Sequence, residues 1–131
     1  MNKLLIHSFL LAAFASTVSV SNAMTLGNYL IMKQRIASLP PEQAKHSRQV
    51  LDTYLEGIAD GDVAVDSIKQ YQQKKGGDYQ PYSCAPAALP FDSKLVEKMI
   101  DAFNAANPDA DKTVNVAILY VSQMAKTYPC K

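Results

Sequence analysis

Apolar positions along this chain recur at three- and four-residue intervals, the spacing that gathers side chains on one face of an α-helix. From Thr25 to Ala37 the stripe is Leu26, Tyr29, Leu30 and Ile36. Leu39-Pro40-Pro41 interrupts it, because proline lacks an amide hydrogen and restricts the residue before it. Pro41 suits the first turn of a second helix, and Glu42 lies near the positive end of its dipole. That helix presents Ser47, Val50, Leu51, Tyr54, Leu55 and Ile58 on one face. Asp60-Gly61-Asp62 reads as its end, with Gly61 in a left-handed cap. Asp62 then caps a third helix carrying Val63, Val65, Ile68 and Tyr71, which closes on Gln72-Gln73-Lys74-Lys75.

The period disappears between Gly76 and Pro90, a segment of glycines, prolines and two tyrosines. It returns after Asp92, which reads as an N-cap, with Phe91 and Val96 placed to form a hydrophobic staple. Leu95, Val96, Met99, Ile100, Phe103 and Ala106 make the stripe of this fourth helix, and Asn107-Pro108 stops it. A fifth helix is expected from Asp109 or Asp111, carrying Val114, Ala117, Ile118, Val121, Met124, Ala125 and Tyr128 until Pro129. No strand-like alternation or repeat competes with this pattern. The fold class is therefore all-α: a compact bundle of four to five helices around one core.

The first residues change the picture. Lys3 precedes an apolar stretch, densest from Phe9 to Phe14, and Ser21-Asn22-Ala23 places small residues at the positions before a cleavage site. Residues 1–23 read as a secretory signal peptide cleaved after Ala23, and 24–131 as one helical domain. The stretch is short and interrupted by His7 and Ser8, whereas a membrane span needs about 20 mostly apolar residues. No cysteine follows the cleavage site, so no lipid anchor is expected, and no membrane association in the mature form. Taking Lys3 away from 13 basic residues leaves them equal to the 12 acidic ones. That balance argues against nucleic acid as a partner. Both cysteines, Cys84 and Cys130, fall in the exported part, and an even pair in an oxidising compartment reads as a disulfide.

Candidate chemistry is sparse. His46 is the one histidine of the exported part, so a Cys-His nucleophile pair is not expected and the chain does not read as an enzyme. No metal-ligand spacing appears, and no cofactor is implied. The Asp60 and Asp62 pair lacks the ligand series of a calcium loop. What remains is the irregular segment. Tyr79 and Tyr82 offer large contact area at low entropic cost, flanked by Gln80 and by rim charges from Lys74, Lys75 and Asp78. A disulfide at Cys84 would pre-organise the segment. The alternative is that both rings fold back and cover the bundle, with the charges a solvated helix end.

The run Cys84-Ala85-Pro86, the helix ending Asn107-Pro108 and the final Tyr128-Pro129-Cys130 resemble the Rap/Tai group of periplasmic immunity proteins. The Tyr54 to Gly57 stretch and Asp60-Gly61 are similar to that group's glycine-containing upstream helix, so the likeness covers roughly residues 51–131. The segment before Cys84 is particular to this chain. The resemblance implies a homodimeric, exported helical protein that neutralises a peptidoglycan amidase effector of type VI secretion. It would do so by steric occlusion, a loop at residues 76–83 plugging the amidase cleft and a helix at residues 62–75 of the other subunit bracing it. A small, disulfide-linked periplasmic chaperone or stress protein is the alternative function.

Overall fold

Two prolines and a covalent sulfur bridge set the outline of this chain. The computed structural model describes residues 23–130, and the signal-peptide reading falls almost entirely outside them. Four helices follow in order: α1 (Leu26–Ser38), α2 (Pro41–Lys74), α3 (Ser93–Ala106) and α4 (Val116–Thr127). Among the described residues there is no strand, only an isolated antiparallel bridge between Thr25 and Asn115. The protein is all-α, and Cys84 is bonded to Cys130 across 46 positions of sequence.

Thr25 caps α1 by accepting a hydrogen bond from the Asn28 amide. The Leu26 amide donates to the Val114 carbonyl and the Val116 amide to the Met24 carbonyl, so the two chain segments run side by side. Gly27 makes that approach possible: a Cβ there would lie 3.2 Å from the Lys112 carbonyl oxygen.

The Asp60-Gly61-Asp62 boundary does not exist. α2 runs unbroken for 34 residues through Gly61, whose φ is not positive. A glycine inside a helix costs about 1 kcal/mol relative to alanine. Asp62 offsets that cost, because its carboxylate accepts the hydroxyls of Tyr82 and Tyr120 instead of capping a new helix. The break that glycine invites is overridden by tertiary contacts.

α3 begins as its sequence requires, with the Asp92 carboxylate accepting from the Leu95 amide and Phe91 packed on the core. α4 begins later than Asp109 or Asp111. Asp111 instead accepts from the amide and hydroxyl of Thr113 in a local turn, and Asn115 is the cap. The buried stripe of α4 is also turned by one position. Val116, Leu119, Tyr120 and Met124 are buried, while Ile118 is 62% exposed and Val121 also faces outward.

The core is built where the helices overlap. Leu26 and Tyr29 of α1 meet Leu51, Leu55 and Ala59 of α2, Leu95, Val96, Met99 and Ile100 of α3, and the buried face of α4. α2 contributes no fully buried residue after Ala59. At about 1.5 Å per residue it spans about 50 Å, against about 20 Å for α3. Its last fifteen residues therefore project past the core, and the 75–92 segment returns along them.

On the other side of the bundle, polar groups lace three helices together. Lys33 of α1 lies 2.9 Å from Glu97 and 2.6 Å from Asp101 of α3. Arg48 of α2 grips Glu97 with both terminal nitrogens and also reaches Asp52 at 2.8 Å. The buried Tyr29 donates its hydroxyl to Asp101 at 2.8 Å.

Candidate functional site

The irregular segment begins where α2 ends. Gly76 takes φ +92°, a conformation that favours glycine, and turns the chain out of the helix. The Gly77 amide donates back to the Gln72 carbonyl, 3.1 Å away. From there the chain runs back toward the core along α2.

Three fastenings hold it. The Tyr79 hydroxyl donates to one carboxylate oxygen of Asp66, and Gln70 donates to the other at 2.6 Å. The Tyr82 hydroxyl donates to Asp62, whose second oxygen accepts from Tyr120 of α4 at 3.0 Å. The third is the foot of the segment: beside the disulfide, the Cys84 amide donates to the Tyr128 carbonyl at 2.7 Å. The helix end that Pro129 frees is thus tied back twice. Burial and the neighbouring Asp62 carboxylate hold the Tyr82 and Tyr120 hydroxyls well above the usual phenol range, so both stay donors at any physiological pH.

Between the free half of α2 and the returning chain lies a groove of about 690 Å³. Asp62, Asp66, Ser67, Gln70 and Gln73 form its helical wall, and Lys74 stands at its far end. Tyr79, Pro81, Tyr82, Ala85, Pro86 and Phe91 form the opposite, largely apolar wall.

The residues singled out from sequence separate into two groups. Lys74, Lys75, Asp78 and Gln80 are exposed at the end of α2 and the turn of the loop. Tyr79 and Tyr82 are half-buried, their hydroxyls spent on α2. Both rings therefore fold back on the helix and shape the groove wall. The sequence reading missed Asp62 and Asp66 as anchors and Tyr120 and Phe91 as supports. A signal for the first two was present. The buried positions Leu51, Leu55 and Ala59 continue, by helical spacing, into Asp62 and Asp66, so two carboxylates occupy the line where apolar residues would be expected.

His46 is exposed on the first half of α2, away from the groove. Among the described residues no three His, Cys, Asp or Glu side chains converge, and no helix is long and apolar enough to cross a membrane. The arrangement offers a shaped, partly apolar contact surface with fixed hydrogen-bonding groups. No protein-family model, curated protein or solved structure matches this chain.

Proposed function

We propose that this protein is a periplasmic immunity protein that binds a cognate peptidoglycan amidase effector of type VI secretion and occludes its active-site cleft. The observation that carries this reading is the pre-organised loop. An irregular segment is clamped by a disulfide at its foot and by two tyrosine-aspartate bonds along its length, leaving Asp78 and Gln80 outward. A segment already ordered loses little conformational entropy when it docks, which favours tight binding from a small contact. Lys74 and Lys75 supply charge at the rim. Export by the residue 1–23 signal peptide would place the protein where such a toxin acts.

A homodimer belongs to the same reading. Val65, Ile68 and Tyr71 are 50%, 58% and 63% exposed on the projecting half of α2, and a second copy could cover them. The same apolar face favours the second reading, a small periplasmic chaperone, whose clients would be many and loosely held.

Mixing the protein with a Cys-His amidase encoded beside its gene should abolish peptidoglycan hydrolysis at equimolar ratio. Hydrolysis that persists at large molar excess rejects occlusion. Broad suppression of aggregation among unrelated unfolded proteins would favour the chaperone instead.

A further inference from the structure

Asp62 and Asp66 sit one helical turn apart, half-buried, at the wall of the groove. Their carboxylate oxygens accept only from neutral donors, namely Tyr82, Tyr120, Tyr79 and Gln70. Among the described residues neither forms an ion pair. Glu97, Asp101 and Asp52, also half-buried, are treated differently, each with Arg48 or Lys33 on it. One end of the groove thus carries two half-buried carboxylates with no cation on them, a local negative charge that attracts an incoming cation. The far end carries the positive charge of Lys74.

The groove also has a length. Asp62 to Gln73 spans about 16 Å along the helix, at 1.5 Å per residue. That accommodates about five residues of extended chain at about 3.3 Å each. The loop wall presents prolines and aromatic rings, which offer apolar contact, while Gln70 and Gln73 stand opposite with amides able to meet a backbone.

We propose that this groove receives an extended, cationic segment of a protein partner. About five residues lie between α2 and the loop. An Arg or Lys side chain sits over Asp62 and Asp66, and the segment runs past Gln70 and Gln73 toward Lys74. This rests on the docking reading, and makes the contact two-way: the loop presents its outer edge while the groove behind it takes in a strand of the partner.

Selection of phage-displayed random heptapeptides on the disulfide-intact protein tests it. Enriched sequences should carry one basic residue, and synthetic peptides should lose about tenfold in affinity when that residue becomes citrulline or when the protein carries Asp66→Asn. Affinity should also fall as salt is raised. Asp66→Asn retains an acceptor for Tyr79. Gln73→Trp, at an exposed position, should block the groove without touching either tyrosine-aspartate bond. No enrichment, enrichment without basic residues, or equal binding by both variants overturns the groove. Amidase inhibition equally strong in both variants would also overturn it while leaving occlusion by the loop intact. Peptide binding without inhibition of any amidase would keep the groove and reject the immunity reading.

Discussion

At the scale of single residues, Asp62 joins three parts of the molecule. It sits on α2, receives Tyr82 from the loop, and receives Tyr120 from α4. Tyr120 is fully buried, so its hydroxyl has no water to turn to. Asp62→Ala strands that donor, and an unsatisfied buried group costs about 1–3 kcal/mol. Equilibrium urea denaturation should show a loss of about 2 kcal/mol for Asp62→Ala and less than half of that for Asp62→Asn, which keeps an acceptor. Equal losses would mean that the charge, rather than the acceptor, holds the tyrosines. The residue was visible in the sequence and its role was not. An aspartate beside glycine has a local use, as a cap, and local uses are what a sequence displays. The hydroxyls that claim Asp62 come from 20 and 58 positions away.

At the scale of helices, periodicity located every element and punctuation misplaced two of their ends. Pro40-Pro41 and Asn107-Pro108 stop helices because proline removes a hydrogen bond whatever surrounds it. Gly61 only weakens a helix, so packing decides, and α2 continues. This gives an expected outcome: Gly61→Ala should stabilise the monomer by about 0.5–1 kcal/mol, since a Cβ there meets nothing within 4 Å. A stop at Gly61 would have made the same change destabilising. If α2 packs on a second copy, the added methyl should weaken the dimer in sedimentation even as the monomer gains. In α4 the sequence offered two apolar lines, and nothing local told Ile118 from Tyr120. The choice fell to Tyr120 because a hydroxyl inside the bundle finds Asp62, while Ile118 is left 62% exposed. The disulfide was legible from an even count of cysteines taken with the export expected from the first residues. Closing a loop of 46 positions stabilises by about 4 kcal/mol through lost chain entropy in the unfolded state. Replacing both cysteines by serine should lower stability by up to that amount. It should also speed hydrogen exchange at the Cys84 amide, which is bonded to Tyr128 beside the bridge.

At the scale of the whole molecule, two kinds of polar fastening hold the helices, and each responds to pH in its own direction. Around Glu97 the fastening is ionic. The hydrogen bonds from Arg48, joined by those from Lys33, hold the Glu97 carboxyl at about 2, well below the usual carboxylate range. A depressed carboxyl contributes stability that is complete above its ordinary value near 4.5 and drains away as pH falls toward 2. Discounted for partial solvent screening, that contribution is about 1–2 kcal/mol. About 20 Å farther along α2, the fastening at Asp62 uses phenol hydroxyls. Burial raises Tyr29, Tyr82 and Tyr120, with the hydrogen bond from Tyr29 to Asp101 and the bonds to Asp62 adding to it. A raised group gives stability that is whole below the unfolded phenol value near 10 and is lost above it. Stability measured against pH should therefore form a plateau from about pH 5 to about pH 9, with an acid limb and an alkaline limb of separate origin. Glu97→Gln should flatten the acid limb between pH 4.5 and 2 and leave the alkaline limb in place. Tyr82→Phe should reduce the alkaline limb and leave the acid one. Monitoring unfolding by circular dichroism and phenolate absorbance together would separate them, because Tyr29, Tyr82 and Tyr120 should ionise only as the helices melt. Phenolate signal from these three appearing while the helices persist would show that the loop and α4 are fastened less firmly than their hydrogen bonds require.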